Sequence, residues 1–245
     1  MTTVEGSSSR ATGEHHHDHR DVTGGWLRPA VFGVTDGLVS NTALLAGVAG
    51  GVHGGTDSAH TLIITGLAGL VAGAFSMATG EYVSVASQTE LTRAEIEIEK
   101  AEIARVPEAE QAELAAMYRS RGVDADVAAE VARQLSRDPE QAWRVHAREE
   151  LGVDPDDLPS PWTAAASSLG AFAIGAFLPL LPFLLGATSL LLPILLAGLG
   201  LFGSGALVSR FTNRTVAYAG ARQLLLGGAA AGLTYLIGRL VGAGV

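Results

Sequence analysis

Apolar residues are gathered into two blocks, and this segregation constrains the fold more than any other feature of the 245-residue sequence. The blocks run over residues 30–86 and 161–245, while almost all charged residues lie between the blocks or before the first one. A hydrophobic content of 48% and a positive mean hydropathy of +0.30 place the chain outside the usual range of soluble domains. The sequence therefore predicts an integral membrane protein.

Five apolar segments are long enough to span a membrane, which takes about 20 residues for roughly 30 Å of hydrocarbon. They cover residues 30–52, 61–86, 163–185, 190–208 and 224–244. We predict an all-α membrane protein with five transmembrane helices and a three-helix insert between the second and third spans. The chain then divides into an N-terminal arm (1–28), spans one and two (29–88), the insert (89–160) and spans three to five (161–245).

Basic residues predict the orientation, because Lys and Arg near helix ends stay on the cytosolic side. Arg20 and Arg28 precede the first span, nine basic residues lie in the insert, and three more follow the fourth span at Arg210, Arg214 and Arg222. The alternate loops, 53–60 and 186–189, contain no Lys or Arg. We expect a cytosolic N-terminus and insert and an external C-terminus. The bias toward Arg, Ala and Gly is typical of a bacterium, which indicates the inner membrane.

The insert carries the charge of the chain. Residues 82–161 hold 18 of the 25 acidic residues against nine basic ones, which accounts for the whole net charge of −9. Such an acidic surface disfavours nucleic acid and favours cations. Because the sequence contains no cysteine, a metal ion would be held by oxygen, imidazole or thioether.

Four glutamates of the insert form two i, i+3 pairs that lie eleven residues apart: Glu99, Glu102, Glu110 and Glu113. On one continuous helix they would share an arc of about 80°, where a cation would relieve their repulsion. His146 and Glu150, at i, i+4 on a later predicted helix, could close the same site. A solvated acidic face is the alternative, and Pro107 interrupts the helix, so the spacing alone leaves both interpretations open.

Three residues of the first two spans are candidates for an ion path. Asp36 lies inside the first span, where an ionisable group costs roughly 2.5 to 3.5 kcal/mol and indicates a function. The alternative interpretation is that Asp36 lies close to the cytosolic membrane interface, where water reaches it and the charge is merely tolerated. Met77 and Glu81, one turn apart in the second span, would add a soft thioether and a second carboxylate. Met77 alone would more often be core filler, so its interpretation depends on Asp36 being opposite.

Five motifs resemble the vacuolar iron transporter family: residues 26–28 (WLR), 32–40 (FGVTDGLVS), 71–83 (VAGAFSMATGEYV), 148–152 (REELG) and 175–183 (GAFLPLLPF). The resemblance runs from about Trp26 to the C-terminus. It implies a homodimer of five-helix protomers that exchanges ferrous iron or manganese for protons, with a cytosolic three-helix metal-binding domain.

The resemblance also implies roles for individual residues. The membrane path of the family falls on Asp36 and Met77, and its cytosolic glutamates fall on the four named above. Two methionines and a glutamate of better-known members correspond here to His146, Ala147 and Glu150. The loss of both thioethers makes the insert harder and favours manganese, although the choice between iron and manganese stays open.

We therefore expect an exporter of divalent cations from the cytosol, driven by proton antiport and without an enzymatic step. A membrane-anchored di-iron ferroxidase is one alternative, but such sites use paired Glu-x-x-His elements. The sequence offers only Glu14 to His17, inside a His-rich N-terminal tract that could hold metal loosely. A metal-sensing scaffold is the other alternative, and it leaves Asp36 unexplained.

Overall fold

The chain is almost entirely helical in the computed structural model, which describes residues 25–52, 56–210, 212 and 214–243. Eight α-helices occupy these residues: α1 (Leu27–Gly51), α2 (Thr56–Arg105), α3 (Pro107–Ser120), α4 (Ala125–Leu135), α5 (Pro139–Glu149), α6 (Pro161–Leu184), α7 (Leu191–Ser209) and α8 (Val216–Gly242). The His-rich tract of the predicted N-terminal arm lies outside the described residues.

Five of the helices are long and apolar enough to cross a membrane, namely α1, α2, α6, α7 and α8. The predicted all-helical, five-span membrane protein is thereby confirmed. The main difference in the spans is the start of α8, which begins at Val216 and not near Leu224. Thr215 caps the helix, since its hydroxyl accepts a hydrogen bond from the Tyr218 N–H at 3.4 Å. An apolar count misses these first turns because they include Arg222.

The second span and the first helix of the insert form one 50-residue helix, α2. Nothing between residues 86 and 90 breaks it, since this stretch has neither Gly nor Pro. The helix ends at Arg105 because Val106 precedes Pro107, and a residue before proline disfavours helical backbone. Pro107 then starts α3, where its missing N–H is harmless. The continuous helix considered for the four glutamates is therefore absent, and they lie on two helices.

The insert beyond α2 contains three short helices, so it has four helical segments where the sequence suggested three. At the start of α5, the Asp138 carboxylate accepts a hydrogen bond from the Glu140 N–H at 3.0 Å. Glu149 near the end of α5 accepts from the Tyr118 hydroxyl at 3.2 Å and also pairs with Arg121. These contacts attach α3 to α5.

Helix α1 occupies the centre of the membrane bundle and contacts α2, α6, α7 and α8. Glycines bring it close to its neighbours, because a Cβ added at Gly33 would lie 2.7 Å from the Ser168 carbonyl of α6. A Cβ at Gly47 would lie 3.3 Å from the Thr234 carbonyl of α8. The Thr234 hydroxyl also donates to the Ala43 carbonyl at 2.7 Å. Gly33 and Gly47 of the first span thus serve packing within the chain.

Gly175 provides a test of this close packing. We expect Gly175→Ala to destabilise the bundle by roughly 1 to 3 kcal/mol, because the new methyl would overlap the Val34 carbonyl. Gly170→Ala on the same helix is the matched control, since no atom of another described helix lies within 4 Å of its added Cβ. Melting temperatures in detergent measure the difference, and equal values for the two variants would contradict the close α1–α6 approach.

Candidate metal-ion site

A cleft of about 500 Å³ opens between α1 and α2 within the membrane bundle. Its walls carry carboxylate, thioether, hydroxyl and amide groups between apolar and glycine positions. The lining residues with side-chain donors are Asp36, Ser40, Asn41, Ser76, Met77, Glu81 and Ser84. Phe172 of α6 closes one side of the cleft.

Asp36, Met77 and Glu81, which were predicted separately from two spans, all line this cleft. Asp36 is exposed to it, whereas Met77 and Glu81 are partly buried. A rise of about 1.5 Å per residue separates Met77 from Glu81 by about 6 Å along α2. The cleft therefore offers oxygen and sulfur donors at successive levels, which is chemistry suited to a divalent transition-metal ion.

A second group of candidate metal ligands lies beyond the membrane part of α2. Glu99 of α2, Glu110 of α3 and His146 of α5 each present one ligand atom, and these three atoms lie within 4.8 Å of one another. His146 Nδ1 is 2.8 Å from Glu99 Oε1 and 3.9 Å from Glu110 Oε2. We call these three residues the carboxylate–histidine cluster.

The carboxylate–histidine cluster is buried and incompletely bonded. His146 is 1% exposed, Glu99 6% and Glu110 8%. Within the described part of the chain, Glu99 Oε1 and both ring nitrogens of His146 have no hydrogen-bond partner of acceptable geometry. Buried polar atoms are normally paired, so these orphaned atoms fit a site whose partner is a cation.

The pKa shifts within the insert also fit a cation-binding site. Burial, followed by the nearby charges of Glu150, Glu110, Glu102 and Glu113, raises the pKa of Glu99 to about 7. Burial and neighbouring carboxylates also raise the pKa of Glu110. Burial lowers the pKa of His146, which keeps its ring neutral and available as a ligand. A divalent cation would compensate the repulsion that the carboxylates share.

The remaining predicted ligands surround the cluster and do not belong to its buried centre. Glu113 and Glu150 are exposed, and Glu102 is partly exposed and lies 3.7 Å from Arg105. Burial and the charge of Glu113 raise the pKa of Glu150, whereas a hydrogen bond with Glu99 opposes this rise. Ala147 is fully buried, so a methionine at that position would have no free space.

The sequence reasoning missed the polar residues that complete the cleft. Ser40 and Asn41 follow Asp36 by four and five residues on α1, while on α2 Ser76 directly precedes Met77 and Ser84 follows it by seven residues. Their spacing from Asp36 and Met77 could have indicated a polar helix face. Serine and asparagine are tolerated in many membrane helices, however, so the signal is weak without the geometry.

A donor-lined cleft inside a five-span bundle, with the carboxylate–histidine cluster on the extension of one of its walls, fits the class of multi-pass membrane transporters. The chain belongs to the VIT family, whose profile matches residues 27–239. Family membership identifies a transporter and not an enzyme, so the ferroxidase alternative is abandoned.

Curated relatives agree with this assignment. The chain is 39% identical to "Vacuolar iron transporter" of Acanthamoeba castellanii over 190 residues, which are 74% of this chain and 67% of that protein. It is 30% identical to "Vacuolar iron transporter 1" of Oryza sativa subsp. japonica over 233 residues, or 93% and 90% of the two chains. "Vacuolar iron transporter 1" of Arabidopsis thaliana is 33% identical over 70% of this chain and 67% of its own length.

The raised pKa of Glu99 predicts a pH-dependent stability. A folded-state pKa of about 7, against 4.5 for the free group, provides stability below pH 4.5 that is lost as the pH rises through 7. Without divalent ions, Glu99→Gln should therefore be more stable than the wild type at pH 8, by up to about 3 kcal/mol, with little difference at acidic pH.

Melting curves recorded with a chelator between pH 4.5 and 8 measure this effect. Glu95→Gln is the matched control, because Glu95 is exposed one turn earlier on the same helix. If melting temperature changes with pH in the same way for the wild type and Glu99→Gln, Glu99 has an ordinary pKa and charge repulsion does not destabilise the cluster.

Proposed function

We propose that this protein moves a divalent metal cation, ferrous iron and/or manganese, out of the cytosol in exchange for protons. The observation that carries the proposal is the shared cleft of Asp36, Met77 and Glu81, three donors from two antiparallel apolar helices. Placing the Asp36 carboxylate inside an apolar span costs free energy, so its presence indicates a function. The neighbouring donors support cation binding as that function.

The identity of the ion is supported by two features that point to different metals. The relatives are named iron transporters, and the Met77 thioether is a soft donor that suits ferrous iron. The carboxylate–histidine cluster consists of two carboxylates and one imidazole, which also suit manganese. Iron and manganese are therefore both proposed substrates.

The insert is proposed to capture cytosolic ions and deliver them toward the cleft. Glu81 in the cleft and Glu99 in the cluster lie on one unbroken helix, separated by about 27 Å along its axis. A cation bound at Glu99 would also pull α3 and α5 together, because Glu110 and His146 belong to those helices. Capture would then be coupled mechanically to the wall of the cleft.

Proton exchange follows from the carboxylates of both sites. A metal ion that binds must displace protons from any protonated ligand. When the ion leaves, the free carboxylates can bind protons again. In the cleft, the groups able to do this are Asp36 and Glu81. In the cluster, Glu99 with its pKa of about 7 would release a proton when metal binds near neutral pH.

The orientation and the assembly are part of the proposal. The alternation of basic residues supports a cytosolic insert and an external C-terminus in the inner membrane of a bacterium. Apolar side chains of α1 and α2, including Phe32 and Phe75, are exposed on the isolated chain. A homodimer in the bilayer, in which part of this apolar surface contacts the second copy and the rest contacts lipid, belongs to the proposal.

Asp36→Asn is expected to abolish transport while the protein stays folded, because the amide keeps the shape but loses the charge and the exchangeable proton. Flux of ferrous iron, manganese, cobalt and zinc into proteoliposomes, recorded together with proton movement, measures the effect. Thr79→Val is a suitable control, since among the described residues the Thr79 hydroxyl bonds only the Phe75 carbonyl of its own helix. Wild-type flux in Asp36→Asn would exclude the cleft as the ion path, and absence of metal flux in the wild type would favour a metal-sensing scaffold.

The double variant Glu99→Gln, Glu110→Gln is expected to keep maximal flux but to raise the metal concentration for half-maximal flux about tenfold, equivalent to about 1.4 kcal/mol. The reason is that capture is weakened while the cleft is intact. Glu95→Gln, Glu108→Gln, which changes two exposed glutamates on the same helices, provides the matched charge control. An unchanged concentration dependence in the cluster variant would remove the insert from ion delivery.

A further inference from the structure

Asn41 is a buried amide in the wall of the cleft whose oxygen has no partner. The residue is 2% exposed, and its Nδ2 donates to the Ala176 carbonyl of α6 at 2.6 Å. Among the described residues, no group forms a hydrogen bond with its Oδ1. Half of the amide therefore anchors α1 to α6, while the other half is unused.

The hydrogen bond to Ala176 fixes the direction of the unpaired oxygen. Exchanging the amide nitrogen and oxygen would bring two carbonyl oxygens together at hydrogen-bond distance, so Nδ2 must face α6. Oδ1 then faces α2 at Gly69, where an added Cβ would lie only 2.9 Å from it. The missing side chain of Gly69 leaves open the space in front of the oxygen.

Asn41 lies at the end of the cleft remote from Glu81. It follows Asp36 by five residues, or about 7.5 Å along α1, in the direction away from the N-terminus of that helix. On the antiparallel α2, Gly69 precedes Met77 by eight residues, or about 12 Å. The donors of the cleft therefore succeed one another from Glu81, through Met77 and Asp36, to Asn41.

We propose that Asn41 Oδ1 is a further ligand of the transported ion at the inner end of the cleft. This inference rests on the proposed transport function and assigns a residue to its next step. An amide oxygen is a hard and neutral donor, which suits manganese better than a thioether does. The amide oxygen does not bind a proton near neutral pH. Release of the ion from Asn41 therefore does not require protonation of this ligand.

Two variants separate the ligand role from the anchoring role. Asn41→Leu removes both the oxygen and the hydrogen bond to α6. Gly69→Ala keeps the hydrogen bond and places a methyl in front of Oδ1; its other close contact, at 2.5 Å, is the flexible end of Leu44. Thr42→Val is the matched control, because Thr42 is a buried residue of the same helix that does not line this cleft and whose hydroxyl has no partner among the described residues.

The full-length variants are compared with the wild type and Asp36→Asn in proteoliposomes, with manganese and ferrous iron measured separately. We expect Asn41→Leu and Gly69→Ala to lower manganese flux about tenfold and iron flux less, so that the manganese-to-iron ratio falls, since one good ligand contributes about tenfold in affinity. Thr42→Val should keep the wild-type ratio. Size-exclusion elution and melting of the purified proteins identify any variant that fails to fold. If Asn41→Leu does not fold, the result for Gly69→Ala alone tests the inference.

The outcomes distinguish the two proposals. If the wild type moves neither ion, the transport function itself fails. If the wild type transports and both variants keep its flux and its metal ratio, Asn41 is not a ligand, although the transport function stands. Loss of flux in Asn41→Leu with wild-type behaviour in folded Gly69→Ala would show that Asn41 acts only as the anchor to Ala176, and this would also overturn the inference.

Discussion

Close approach of helix backbones around α1 is the constraint on which the rest of this structure depends. In hydrocarbon there is no hydrophobic driving force between helices, so their packing depends on close van der Waals contact and on interhelical hydrogen bonds. Glycines on α1 and α6 permit that contact, and Thr234 and Asn41 add bonds to the carbonyls of Ala43 and Ala176. With α1 held from α6 and α8, its Asp36 face stays open toward α2, and this opening is the cleft.

The continuity of α2 joins this cleft to the carboxylate–histidine cluster. A flexible linker after residue 86 would have separated two independent parts, whereas one helix gives Glu99 a fixed position relative to Met77 and Glu81. Pro107 has the opposite role, because it ends α2 and lets α3 turn Glu110 back toward Glu99. The carboxylates of Glu99 and Glu110 meet because α2 continues past residue 86 and then ends before Pro107.

The membrane fold could be predicted from the sequence because apolar length alone defines a span. Asp36 and Glu81 could also be singled out, since ionisable groups inside apolar segments are rare, whereas the interpretation of Met77 depended on Asp36. The division of the insert glutamates could not be predicted in the same way. Spacing places Glu99, Glu102, Glu110 and Glu113 as equals, yet the structure buries only the first and third, because the choice depends on how α3 folds back. Asn41 was missed because an uncharged amide gives no signal until its oxygen is seen to be unpaired.

Unpaired buried atoms occur in both regions, and their chemistry differs in a way that suits different tasks. In the insert they belong to Glu99, whose raised pKa of about 7 links capture of a cation to proton release, and to His146, whose lowered pKa keeps the ring neutral. At the inner end of the cleft the unpaired atom is the amide oxygen of Asn41, which keeps one protonation state. A path that binds first through titratable groups and last through a neutral oxygen would hold the ion progressively less tightly, and an ion must be released as well as bound if it is to cross the membrane.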